Sequence, residues 1–150
     1  MTESQTPFQE ALKEAQSAGY AEADPSYDIK GIDSACKLVI TSNWLMDKHV
    51  TIKDVHIKGI TDIKPDDIEK AKKQGFVIKL IASVNKEKLS VEPTLIQRDN
   101  PLCVGGSLNA VTFHTECSGD VTIIGRGAGG VETAGAVLKD LIDIRGELSL

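Results

Sequence analysis

Apolar residues recur along the chain with two different periods, and the switches between them outline its elements. Phe8, Ala11, Leu12 and Ala15 fall at helical spacing, and Gly19 stands where a left-handed residue would end the helix, so a helix is predicted over 8–18. Ile32, Ala35, Leu38, Val39 and Leu45 form a broad stripe that predicts a second helix over 31–46, with Asp28 or Asp33 favouring its N-terminal end. Between the two lies an acidic connection, 20–30, broken by Pro25. Val55 and Ile57 then alternate with His56 and Lys58, the period of a short strand within 50–60. Lys64-Pro65-Asp66-Asp67 is a helix start, with proline near the first position and acids in the first turn, and Gly75 is its end. Residues 76–84 are apolar and β-prone, Asn85 to Lys88 form a polar turn, and 89–96 return as a strand. Asn100-Pro101 and Gly105-Gly106 punctuate a loop. Two further strands are predicted over 108–116 and 120–124, separated by Cys117-Ser118-Gly119, and a last helix over 131–144. No internal repeat breaks this order. Strands joined by short turns, with helices inserted and appended, predict an α+β fold: a mostly antiparallel (mixed) β-sheet with helices covering one face.

Composition narrows the class. The 150 residues suffice for one domain with its own core. A formal net charge of -5 argues against nucleic acid as a partner, because phosphate neutralisation needs a basic surface. No apolar run reaches the length that spans a bilayer, and no basic segment leads into an apolar one at the N-terminus, so neither a membrane partner nor a signal peptide is expected. Cys36, Cys103 and Cys117 are odd in number and widely spaced, which argues against a disulfide framework or a metal site and makes a reducing cytoplasmic setting the default. His49, His56 and His114 lack ligand spacing and are expected to be structural. Cys36 is expected to be a buried small hydrophobe, Asp24 beside Pro25 to be structural, and Lys70-Ala71-Lys72-Lys73 to be the outer face of a helix.

Two segments carry candidate chemistry. The first runs Gly19-Tyr20-Ala21-Glu22-Ala23-Asp24-Pro25-Ser26-Tyr27-Asp28-Ile29-Lys30-Gly31-Ile32-Asp33-Ser34-Ala35-Cys36-Lys37. Asp33 and Lys37 share one face of any helix that starts near Gly31. Acids ending in a helical lysine suit a small ligand that bears an ammonium group; a solvated loop followed by a helix start is the plainer reading. In the second segment Gly125, Gly127 and Gly130 fit G-x-G-x-x-G after a strand and before a helix. A Rossmann unit needs a further parallel strand after that helix, and too few residues follow. The segment reads either as a tight turn whose glycines permit positive φ, or as a helix N-terminus whose amides touch a nucleotide held mainly by something else.

Together the stretches G-Y-x-E-x-D-P-x-x-D-x-x-G-x-D-x-x-x-K and G-x-G-A-G-G-x-x-T-A-x-A-V-L-x-D-L resemble homoserine dehydrogenase, and the resemblance runs from Met1 to about Ile144. It implies NAD(P)-dependent interconversion of aspartate semialdehyde and homoserine, in threonine, methionine and isoleucine biosynthesis. It implies that Glu22 and Asp28 hold the substrate with Tyr20 beside them. Lys37 would be the general acid/base, Asp33 would orient it or bond the substrate, and Gly127 and Gly129 would approach the NAD or NADP through backbone atoms. It also implies a homodimer. The family opens with a complete Rossmann domain, and this sequence does not contain one. The chain therefore looks like a C-terminal catalytic and dimerisation half, with Met1 an internal methionine, and a separate nucleotide-binding chain is a possible partner. On this reading the isolated chain is expected to be inactive. A non-catalytic amino-acid-binding or oligomerisation module, suggested by the strand–helix–strand rhythm of 55–84, and an inactive remnant are the alternatives.

Overall fold

The computed structural model describes residues 6–19, 21–127 and 129–148. The chain divides into two compact units, 1–98 and 99–150.

The first unit begins with α1 (Phe8–Ser17). Ala18 N–H donates to Glu14 O, and Gly19 follows at φ +75°, the left-handed stop that its position suggested. The acidic connection contains one element that hydrophobic spacing did not reveal, α2 (Ser26–Ile29), a single turn entered through Pro25. Then comes α3 (Ile32–Met46), entered through Gly31 at φ +79°. A Cβ at Gly31 would lie 3.1 Å from Val91 Cγ1 and 3.4 Å from Ile57 Cγ2. Only a residue without a side chain combines that close approach with a left-handed backbone.

A 3-10 turn over Ile52–Asp54 leads into β1 (Val55–Ile57). After it come α4 (Pro65–Lys73), β2 (Phe76–Val84) and β3 (Leu89–Gln97). The strands form one mixed sheet in the order β1-β3-β2. β2 and β3 are an antiparallel hairpin in register from Phe76↔Gln97 to Val84↔Leu89. Its turn is closed by Asn85, whose Oδ1 accepts from Glu87 N at 2.9 Å and Lys88 N at 2.8 Å. β1 pairs with β3 in parallel, Val55↔Leu89 to Ile57↔Val91. Pro93 interrupts the central strand without breaking it. Val91 O accepts from Lys58 N at 2.7 Å, so the groups of Val91 and of Pro93, two residues on, face the β1 side. β1 has ended by then, and the donor Pro93 lacks is not missed.

The core is where α3 meets this sheet: Ala35, Leu38, Val55, Leu89 and Val91 are buried together, with Val39, Val50, Ile57, Leu80 and Val84 packed around them. Ile68 and Ala71 of α4 are buried, while Lys70, Lys72 and Lys73 are exposed as an outer face should be. Two expectations fail on α3. Its buried stripe is Ala35, Leu38 and Ser42, so Leu45 is 57% exposed and does not join the core. Cys36, one residue and therefore about 100° round from Ala35, is exposed rather than buried. α1 lays Phe8, Ala11, Leu12 and Ala15 over an apolar cavity of about 290 Å³ that Ile29, Ile60, Ile68, Ile78 and Leu80 also line.

The second unit holds β4 (Leu108–Thr115), β5 (Gly119–Arg126) and α5 (Gly130–Leu148). β4 and β5 pair antiparallel from Leu108↔Arg126 to Thr115↔Gly119 as a separate two-stranded sheet. Thr112 and Thr122 share a cross-strand hydrogen bond of 2.8 Å, and His114 Nδ1 lies 2.6 Å from Asp120 Oδ1 across the same pair of strands. The strands thus form two sheets rather than one, within the α+β class that the pattern predicted. No helix is long and apolar enough to cross a membrane, and no cluster of three or more potential metal ligands occurs, among the described residues.

Candidate active site

The acidic segment is fixed in three places. At its start, Gln16 of α1 reaches forward: its Nε2 donates to Glu22 O at 2.9 Å and to Ala23 O at 3.3 Å. Ala21 N–H adds a bond to Ala15 O at 3.3 Å. In the middle, the Asp24 carboxylate accepts from Ser26 Oγ at 2.5 Å and Ser26 N at 3.1 Å. Those bonds from Ser26, its hydroxyl first, hold the Asp24 carboxyl below the usual carboxylate range. Asp24 is structural, as expected, and starts the turn that leads into α2. At the end, Ile60 N–H donates to Ile29 O at 2.8 Å, where Gly59 passes so close that a Cβ would run into the Ile29 carbonyl and come within 2.7 Å of Lys30 Cα. Gly31 then sinks against the sheet. The local sequence thus turns two reversals, at Pro25 and Gly31, into a defined path along which Glu22, Asp28, Asp33 and Lys37 are carried.

Of the candidate residues, Asp33 and Lys37 are brought together. They lie one turn apart on α3, with Lys37 Nζ 2.6 Å from Asp33 Oδ2; the lysine side chain is 66% and the carboxylate 42% exposed. An exposed i,i+4 pair of this kind stabilises a helix by only about 0.3–0.5 kcal/mol. Its consequence is proximity: the ammonium lies beside the Asp33 carboxylate and remains open to a ligand. Asp33 also sits in the first turn of α3, where the helix dipole favours an anion. Glu22 and Asp28 are exposed, and among the described residues their carboxylates have no hydrogen-bond or ion-pair partner. Asp28 lies on α2, and its backbone carbonyl accepts from Gly31 N at 3.0 Å. Tyr20 lies outside the described residues.

Gly127 and Gly129 lie in the second unit, on the connection from β5 to α5. Gly127 N–H donates to Ser107 O at 3.2 Å, and Thr133 N–H to Gly129 O at 3.0 Å. Of the glycines in this loop, only Gly129 adopts a positive φ, +135°; Gly125 belongs to the strand and Gly130 to the helix, so the motif's positive-φ reading applies at one position. The places a Cβ would take at Gly127 and Gly129 are filled by the Asn109 amide and the Glu132 carboxylate. Glu132 in turn pairs with Arg126 at 3.8 Å. A carboxylate beside the turn is poor company for a phosphate, so this turn suits a neutral part of a nucleotide better than its charged part.

Residues 1–142 match the family model for homoserine dehydrogenase. Homoserine dehydrogenase from Methanocaldococcus jannaschii is 49% identical over 137 residues, which is 91% of this chain and 41% of that protein. The NAD(+)-dependent homoserine dehydrogenase of Pseudomonas canavaninivorans is 45% identical over the same shares of each. Among solved structures, the S. aureus homoserine dehydrogenase crystallised at pH 6.0 superposes with a TM-score of 0.87 at 39% identity, covering all of this chain and 39% of that one. A hyperthermophilic archaeal homoserine dehydrogenase mutant in complex with NADPH superposes with a TM-score of 0.74 at 35% identity over 89% of this chain and 39% of its own. The chain belongs to the homoserine dehydrogenase family, and it spans 33–42% of the length of the curated relatives it matches.

Gln16 and Gly59 are contributions that sequence reasoning missed. Gln16 flanks the apolar stripe of α1 one turn after Leu12, and nothing about its spacing marks it as a donor to the carbonyls of Glu22 and Ala23. Gly59 lies in a loop without a motif; its close approach exists only once α2 is folded.

Proposed function

We propose that this chain is the substrate-binding and catalytic part of a dehydrogenase that interconverts aspartate semialdehyde and homoserine with NAD or NADP. The observation that carries the reading is the Asp33–Lys37 pair, an open ammonium at the end of a path bearing two carboxylates without a partner among the described residues. Glu22 and Asp28 offer the opposite charge to a substrate ammonium. Lys37 serves the other end of the substrate. As hydride reaches the aldehyde carbon, the carbonyl oxygen takes the electron pair and becomes an alkoxide, and Lys37 gives it a proton; in the oxidative direction Lys37 takes the hydroxyl proton. Asp33 keeps the lysine aimed. The nicotinamide cofactor, when bound, supplies or accepts the hydride. Gly127 and Gly129 are the residues of this chain that would lie against it, through backbone atoms, and the remainder of its binding falls to a nucleotide domain. Family membership, the NAD(+) of one relative's name and the NADPH of one structural neighbour's support that assignment. A homodimer, and operation in amino-acid biosynthesis in the cytoplasm, belong to the same proposal.

The test supplies the nucleotide-binding part and follows homoserine-dependent reduction of NAD(+) or NADP(+). Lys37→Ala is expected to lower kcat by about 10²–10⁴-fold, the usual contribution of a general acid/base, with little change in homoserine KM. Glu22→Gln is expected to raise KM instead. Full activity in both variants overturns the assignment. The chain alone is expected to show no turnover, since hydride transfer needs an oriented cofactor.

A further inference from the structure

We infer that Gln16 is a positioning residue for substrate binding: its side-chain amide sets the place of Glu22 by holding the backbone on which that carboxylate stands. The inference rests on the proposed role of Glu22. A primary amide has two N–H groups, and here its nitrogen lies within hydrogen-bond distance of two successive carbonyls, Glu22 O at 2.9 Å and Ala23 O at 3.3 Å. The two bonds link the last turn of α1 to a stretch with little other support. The Ala21 N–H bond to Ala15 O is long at 3.3 Å, and the next anchor is the Asp24–Ser26 turn on the far side of Glu22. The Glu22 carboxylate itself is exposed and unpartnered among the described residues, so its position is inherited from its backbone. The grip is indirect but well placed, because Phe8, Leu12 and Ala15 seat α1 against the apolar cavity and Gln16, one turn after Leu12, stands half-buried at the edge of that same stripe.

Two substitutions separate this role from helix stability. Gln16→Met keeps length and helix propensity and removes both donors; Gln16→Lys restores donors at similar reach. In the 150-residue chain, hydrogen exchange of the Ala21 amide, the N–H of this segment bonded to Ala15 O, is expected to quicken about tenfold in Gln16→Met and to return toward wild type in Gln16→Lys, with the unfolding midpoint unchanged. With the nucleotide-binding part supplied, Gln16→Met is expected to raise homoserine KM about tenfold while kcat stays within about twofold, the mark of lost binding rather than lost chemistry. Unaltered exchange of the Ala21 amide in Gln16→Met overturns the inference, and so does an unaltered KM in the presence of a raised KM for Glu22→Gln. If Glu22→Gln itself leaves KM unchanged, the substrate-site reading fails, and this inference fails with it.

Discussion

The two units of this chain use apolar residues in opposite ways. In the first, Val91 and Ala35 are wholly buried, and Leu38, Val55, Ile68, Ala71, Val77, Leu89 and Ile96 are nearly so. In the second, no described residue is buried: Ile123 is 61% exposed, Leu138, Leu141 and Ile142 are each 59% exposed, and Val131 is 83% exposed. The difference follows from architecture. Three strands with helices packed on them can enclose a core, whereas a two-stranded ribbon and one helix have too few layers to do so. The lesson is that the acidic segment with its lysine has a rigid foundation inside this chain, while the glycine turn is carried by elements whose apolar faces are still uncovered.

Truncation tests this contrast most directly. Leu38→Ala should destabilise the chain by about 2–5 kcal/mol in urea unfolding, whereas Leu141→Ala should stay within about 0.5 kcal/mol. Equal costs would dissolve the contrast. A smaller effect is expected from Gly59→Ala, where a methyl group must displace the Ile29 carbonyl; a loss of about 1–3 kcal/mol follows, and the chemical shifts of residues 26–31 should move with it. Ser42 sharpens the picture from the other side. It is fully buried on α3, and its hydroxyl has no hydrogen-bond partner among the described residues. Ser42→Ala should therefore raise stability by about 1 kcal/mol, and a loss would show that the hydroxyl is satisfied in solution.

The smallest effect concerns pH. Asp54 accepts from Thr51 N at 2.7 Å and Thr51 Oγ1 at 2.9 Å, and these bonds, the backbone one first, hold its carboxyl below the ordinary value of 3.8. A carboxyl lowered in the folded state adds stability that is fully present above its unfolded pKa and disappears as pH falls through the folded one. Acid titration of Asp54→Asn against wild type should show two stabilities that differ near neutrality and converge below about pH 3.8. A constant offset down to strong acid would contradict that cause.

Much of this was legible in the residues. The bounds of β2 came from its apolar run, and those of β3 to within a residue, because Asn85 closes the turn between them with its own side chain. The Asp33–Lys37 pair followed from helical spacing, and the family from two separated motifs. The failures have definite causes. α2 is four residues long, too short to show a period. The buried stripe of α3 passes through Ser42 instead of on to Leu45, since a polar residue can occupy a core position that spacing alone assigns to the next apolar one. Alternation identified β1 as a strand, yet its parallel partnership with β3 depends on sheet order, which alternation does not encode. Gln16 was hidden for the same reason: its acceptors are backbone atoms whose place is set only by the folded path of the segment.

Gly31 joins the interior of the first unit to its exposed acids. Because a Cβ there would press against Val91 Cγ1 at 3.1 Å and Ile57 Cγ2 at 3.4 Å, the backbone between α2 and α3 rests close on the sheet. Enlarging Val91 would lift that backbone and shift the start of α3, and with it Asp33. A residue far from any solvent would then act on the proposed substrate site, without ever meeting a ligand.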